Sequence, residues 1–363
     1  MSTLRRLALR GGAVLSVREA AGVVIRLAGV LLVTRLIGPA DFGIYAGAAA
    51  VVTVLAVAAQ LGAELYLIRR EAEPSPATYD EVFSVLAVTT VVATALALAG
   101  SLVAGALGVG SRYLDPFRVL ALTIPVNVLW APAQAKLERA FRYGRMAVVE
   151  VGGDLALYGV AVPLAAAGAG VWAPVAGYAA WQTWLLAAGC ALAGYRPRWR
   201  WSAPQARELL RYGLEYAPVP LLTRAELLVN PLVVGPVLGA ASVGYVALVI
   251  RLVETLSFVM RATWRLSVVA LARVQSDRRR LARGLEESMA VQVLGVAPVL
   301  AAFAILAPWL VPLLFGDAWS PAVDLYPYVA AGAVLLAVVN AHYAVLYVLG
   351  RQVLLARISL VRL

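Results

Sequence analysis

The stretch Val82–Val109, VFSVLAVTTVVATALALAGSLVAGALGV, holds no Asp, Glu, Lys, Arg or His. As a helix it would reach about 42 Å, more than the ~30 Å hydrocarbon core of a bilayer. Ala290–Phe315, AVQVLGVAPVLAAFAILAPWLVPLLF, is equally free of ionisable groups. In lipid a segment must satisfy its own backbone polar groups, and a helix does so. Both runs are too long and too continuous for the alternating strands of a barrel. Similar blocks recur along the whole chain, so a single buried helix of a soluble protein does not account for them.

Composition agrees. The 363 residues are 62% hydrophobic and only 14% charged, and the mean hydropathy is +0.84. Soluble domains run near 45–50% apolar and about 25% charged. A soluble chain of this length would lack the polar surface to cover its core. The predicted fold class is therefore all-α, a polytopic transmembrane helical bundle. The net charge of +11 does not point to nucleic acid, because basic residues in such a protein mark cytoplasmic loops. The lone Cys190 sits in an apolar run and excludes a disulfide framework. A cleaved signal peptide is disfavoured, since the apolar stretch after MSTLRRLALRG is long and contains Arg18, Glu19 and Arg26.

Apolar blocks and polar breaks predict spans near 12–36, 43–68, 82–108, 117–135, 146–168, 171–194, 213–235, 241–267, 288–312 and 323–349, with another beginning after Arg351. An N-terminus placed inside puts nearly all the breaks' basic residues on one side. These include Arg5 and Arg6, Arg69 and Arg70, Lys136 to Arg145, Arg196 to Arg211, and Arg273 to Arg283. The opposite loops hold Arg112 and, at a helix edge, Arg118. This bias predicts a multi-pass protein with a cytoplasmic N-terminus.

The two halves also resemble each other at a shift of about 201–206 residues. LIGPADFGIYA (36–46) faces VLGAASVGYVA (237–247), pairing Gly38 with Gly239 and Gly43 with Gly244. Gly144-Arg145 pairs with Gly350-Arg351. The expected domains are an N-terminal six-helix lobe over 1–200 and a C-terminal lobe over 201–363. The two are pseudo-symmetric, with an axis along the membrane normal and a central cavity between them. By the repeat the second lobe is about one and a half helices short, which reads as truncation, with about 11 helices present.

Ionisable groups at membrane depth are costly and usually face a cavity or a partner. Arg18 and Arg26 share one helical face with Gly22 and Gly29. Thr53, Gln60 and Glu64 share another in the second span, and Arg224 sits in the seventh. Arg251, Glu254 and Arg261 form a stripe in the eighth, onto which Thr53, Gln60 and Glu64 map in part under the repeat shift. These eight ionisable or amide residues are the candidate substrate-binding set. Neutral readings stay open: Arg251 and Glu254 are spaced to pair with each other, while Arg18, Glu64 and Arg261 are near enough to span ends to snorkel. Glu150 and Asp154, an i, i+4 acidic pair, read as a proton or cation site or as partners for an arginine elsewhere. A cavity rich in arginine suits an anionic substrate, since guanidinium pairs bidentately with phosphate.

There is no GxxxxGK[ST] phosphate loop, and Lys136 is the only lysine. One His and one Cys leave no material for a His-rich metal site or a Cys–His dyad. No catalytic residue, metal or cofactor is expected, and the chain does not read as an enzyme.

TRLIGPADFGIYAGAAAVVTVLAVAAQLGAELYLIRR (34–70) resembles the first hairpin of Wzx-type polysaccharide flippases, members of the multidrug/oligosaccharidyl-lipid/polysaccharide exporter superfamily. KLERAFRYGRMAVVEV (136–151), LVPLLFGDAWSPAVDLYPYVA (310–330) and LGRQ (349–352) resemble later segments in the same order. The resemblance implies two six-helix lobes in a V around a cavity. It implies movement of a polyprenyl-pyrophosphate-linked glycan across the cytoplasmic membrane by alternating access, as in O-antigen or lipopolysaccharide assembly. Membrane lipids and other polysaccharide-assembly proteins are the implied partners. By helix and depth, Arg18 or Arg26 and Arg251 match the cationic cavity positions of related lipid flippases. A drug or cation antiporter of the same superfamily is the first alternative, and a membrane glycan polymerase or ligase the second.

Overall fold

A computed structural model describes residues 2–216, 218–257 and 277–348. Every regular element among them is helical. The chain divides into two compact units, Met1–Val237 and Leu238–Leu363.

Unit 1 begins with α1, Ser2–Gln60, which is two helices meeting at Gly38. Gly38 has φ 76° and ψ 171°, a region essentially closed to residues with a Cβ. Pro39 follows and starts the second helix, where its missing N–H costs nothing. The apolar part, Ile25–Ile68, is 44 residues long, enough for two crossings, so Gly38 is the corner between them. A break at Leu61 (φ 52°) and Gly62 (φ 63°) separates α1 from the short α2, Ala63–Ile68.

Helix α3, Pro76–Ala106, carries most of the ionisable-free run that begins at Val82, and is capped by Ser75, whose side chain accepts from the Thr78 N–H. Its Val91, Leu96 and Leu102 are exposed. Such a face would be an aggregation patch in water but is the ordinary outer surface of a helix in lipid. The predicted fourth span, 117–135, differs from expectation. It is three pieces, α4 (Ser111–Ala121), α5 (Ile124–Val128) and α6 (Ala131–Arg139), the last two with a proline in the first turn. Pro125 and Pro132 lack the N–H that a continuous helix would use.

Helices α7, Tyr143–Ala166, and α8, Trp172–Ala193, form an antiparallel hairpin. A Cβ on Gly177 would meet the Leu157 carbonyl oxygen at 2.7 Å, and one on Gly153 would meet the Trp181 ring at 2.6 Å. Without hydrophobic drive between helices in lipid, small residues that admit close approach supply the packing. Unit 1 closes with amphipathic α9, Ala203–Tyr216, and α10, Pro218–Val229. A π-turn at Asn230–Val234 then follows, around Pro231.

The α11 helix, Gly235–Leu256, crosses into unit 2 and bends at Gly239 (φ 82°, ψ 175°). That is the same rare conformation as at Gly38, at the position the repeat pairs with it. Unit 2 continues with α12, Arg278–Phe315, and α13, Pro321–Val348. Its core sets Val249 and Val253 against Val296, Leu300 and Tyr326.

Among the described residues, seven helical stretches are long and apolar enough to cross a membrane. Two of them contain the glycine corners.

Candidate functional site

Asp154 is the twelfth residue of the 24 in α7, midway along it. Arg26 lies twelve residues before the Gly38 corner, about 18 Å along the helix. Both are therefore near the middle of a crossing, and they meet there. Arg26 Nη1 donates to Asp154 Oδ2 at 2.7 Å. The arginine side chain is 36% exposed and the aspartate 10%, so the aspartate is largely buried while part of the arginine side chain stays accessible.

The register that makes this pair is set one turn further on. A Cβ on Gly29 would fall 2.2 Å from the Tyr158 ring. Gly29 thus admits the tyrosine, and α1 and α7 close on each other. Residue numbers rise together on both helices, 26 with 154 and 29 with 158, so the two run parallel. Gly22 leaves room on the other side, where the Arg26 guanidinium lies over it. No acid lies within six residues of Arg26 in the sequence. Asp154 comes to it from 128 residues away.

The other predicted residues are dispersed. Glu150 is half-buried, one turn before Asp154. Gln60 ends α1, and Glu64 follows the Leu61–Gly62 break in α2. Thr53, Gln60 and Glu64 therefore do not share one continuous helical face, because the two positive-φ residues reset the rotation. Nor does Glu64 extend freely to an interface. It accepts from Gln134 Nε2 at 2.8 Å, and Glu138 accepts from the same amide at 3.1 Å. Arg224 on α10 is exposed. Arg251 and Glu254 are both exposed and, among the described residues, do not pair with each other. Arg18 is on α1, with its side chain outside the description, and Arg261 lies outside the described residues.

Two polar clusters escaped the sequence reading. Asn127 Nδ2 donates to the Tyr178 hydroxyl at 3.0 Å in the heart of unit 1, beside the buried Gln182. Arg70 reaches Glu208 at 3.1 Å and also bonds the Tyr66 hydroxyl, tying α2 to α9. The first has a sequence signal: Asn127 and Gln182 are amides inside apolar spans.

Unit 1 also carries a cavity of about 1100 Å³ at the end where α2–α3, α6–α7 and the segment after α8 come together. Lys136, Arg142, Arg196 and Arg198 line it, with Glu71 and Glu73. Arg139 fixes one wall, donating to the carbonyls of Leu67, Ile68, Arg70 and Ala72. Tyr195 fixes the other, donating to the Tyr79 carbonyl and Asp80 Oδ1. Burial first, and then the Asp80 carboxylate, push the Tyr195 phenol well above its usual range, so it stays a donor. Among the described residues no group of His, Cys, Asp and Glu is arranged to hold a metal ion.

A family model described as "Polysaccharide biosynthesis protein" matches residues 32–324. No curated protein matches the chain. A solved structure described as the inward-facing conformation of a multidrug resistance MATE family transporter of the MOP superfamily is similar in fold. The TM-score is 0.61 and the identity 15%, over 90% of this chain and 84% of that one.

Proposed function

Since the chain belongs to the polysaccharide biosynthesis protein family, we propose that it is a flippase. It moves a polyprenyl-pyrophosphate-linked oligosaccharide across the cytoplasmic membrane by alternating access, with its N-terminus in the cytoplasm and no chemical step of its own. The observation that carries this reading is the Arg26–Asp154 pair. An arginine at mid-membrane is costly. A largely buried aspartate holds it in place, yet part of the arginine side chain is accessible. A pyrophosphate reaching that part would meet a planar donor fork pre-oriented for bidentate contact. Asp154 then has two roles: it keeps Arg26 from collapsing towards an interface, and it gives the empty protein a counter-charge that the substrate displaces. The resemblance to related lipid flippases matches Arg251 by helix and depth, and we assign it to the substrate-binding set with Arg18, Gln60, Glu64, Arg224, Glu254 and Arg261. Partner proteins of polysaccharide assembly are part of this reading.

Reconstitution tests it. Wild-type protein in vesicles should flip a fluorescent prenyl-pyrophosphate disaccharide, and Arg26→Ala should slow flipping at least tenfold, with Arg26→Lys intermediate. Unchanged flipping in Arg26→Ala would remove the site.

A second reading, an ion-coupled drug or cation antiporter, draws on Glu150 and Asp154 as two acids one turn apart on α7, and on the fold shared with a multidrug transporter. It ranks lower because Asp154 is already engaged by a cation. Uptake of a small organic cation driven by a proton or sodium gradient, abolished by Glu150→Gln, would favour it.

A further inference from the structure

The basic cavity of unit 1 plays no part in the transport reading, and nothing about the Arg26–Asp154 pair depends on it. Its cations come from three separate stretches of chain: Lys136 from α6, Arg142 from the α6–α7 turn, and Arg196 and Arg198 from the segment after α8. A bias of arginine towards one side of a membrane explains why such loops are basic. It does not explain why they converge around one cavity of about 1100 Å³, close to the upper size of small-molecule sites, roughly 300–1,000 Å³. Nor does it explain their state. Glu71 and Glu73 line the same cavity, yet among the described residues none of Lys136, Arg142, Arg196 and Arg198 forms an ion pair. The third acid, Asp80, is taken by the Tyr195 hydroxyl and the Arg198 backbone N–H. The walls are fixed by Arg139 on four carbonyls and by the Tyr79–Tyr195 ring contact. The cations are thus held around a space without being neutralised.

The depth of the cavity indicates where its ligand comes from. The segment after α8 is pinned along the start of α3: the Arg198 N–H donates to Asp80 Oδ1 at 3.2 Å and the Arg200 N–H to Ser84 Oγ at 2.8 Å. Ser84 is eight residues into helix α3 but only two past Val82, where its ionisable-free run begins, so this segment lies at the edge of the apolar span. Trp199 and Trp201, either side of Arg200, are both exposed, as aromatic residues are at the headgroup level of a bilayer. Cations just beyond such a belt stand where lipid phosphates lie.

We propose that this cavity binds the phosphate headgroup of an anionic membrane lipid, with Arg142, Arg196 and Arg198 as the principal contacts. The shared chemistry is a phosphate oxyanion, and the source we assign is the bilayer.

The test uses the full chain in phosphatidylcholine nanodiscs, titrated with phosphatidylglycerol and read by native mass spectrometry as retained lipid. One tightly retained phosphatidylglycerol is expected on the wild type. Each cation neutralised should weaken retention about fivefold, so Arg142→Gln/Arg196→Gln/Arg198→Gln should lose it about a hundredfold. The triple lysine variant should keep most of it, which separates loss of charge from loss of fold. Arg112→Gln, at the other end of unit 1, should change nothing. Equal retention by the wild type and the triple glutamine variant would overturn the proposal. So would full displacement of the lipid by millimolar inorganic phosphate, which would mark a site for free phosphate.

Discussion

Arg26 and Asp154 meet at 2.7 Å between two parallel helices, with the aspartate side chain largely buried and the arginine side chain partly exposed. The pair is therefore asymmetric, and its two halves should fail differently. Arg26→Ala takes the guanidinium donor from a largely buried carboxylate and should cost about 1–3 kcal/mol, less than the ~3–5 of a fully buried pair. Asp154→Asn leaves a cation that can still find polar surroundings and should cost under about 1.5 kcal/mol. Thermal unfolding in detergent, run as a double-mutant cycle, should give a favourable coupling. The swapped variant Arg26→Asp/Asp154→Arg should recover stability but not flipping; recovery of both would mean that the pair is only structural.

The matched corners at Gly38 and Gly239 make a second prediction. A Cβ would meet nothing within 4 Å at either site, so any penalty for alanine is pure backbone strain. Gly38→Ala and Gly239→Ala should each destabilise by about 1–3 kcal/mol. Gly100→Ala also meets open space, but inside the regular helix α3, and should be neutral or stabilising by up to about 1 kcal/mol. Equal melting temperatures for all three would rule out the strained corner.

Close helix approach can be probed at Gly177. Its added methyl would meet the Leu157 carbonyl oxygen at 2.7 Å and the Ala161 Cβ at 2.8 Å. No flexible side chain can yield there, so α7 and α8 must part. Gly177→Ala should cost about 1–3 kcal/mol. Gly159→Ala, with open space around it on α7, should not. A melting curve of each variant decides.

Orientation has its own test. In a Cys190→Ser background, a cysteine at position 142 should react with a membrane-impermeant maleimide only from the cytoplasmic side, and one at position 112 only from outside. The opposite pattern would invert the proposed topology. Arg112 pairs with Asp41 at 2.9 Å, so the second label also reports on the end that carries the Gly38 corner.

The residues that were legible in advance are those whose cost is local. Val82–Val109 reads as a span because transfer of its side chains into lipid is favourable whatever surrounds them. Gly38 and Gly239 read as equivalent from their flanking sequence, and each takes a backbone conformation that a Cβ would forbid. The broken fourth span was less legible: Pro125 and Pro132 were visible, but the apolar run concealed that both would be used as helix starts.

By itself, then, the sequence determined the helical class, the approximate place of the long apolar helices, the clustering of basic residues in alternate breaks and the correspondence of the two glycine corners. Only the tertiary structure decided which acid answers Arg26, why Thr53, Gln60 and Glu64 are not one face, and that Lys136, Arg142, Arg196 and Arg198 surround a single cavity. The reason is physical. Crossing a membrane is a sum of independent transfer energies that composition already contains. Pairing depends on the rotation and register of one helix against another, and here that register is set by where Gly29 meets Tyr158 and where Gly153 meets Trp181.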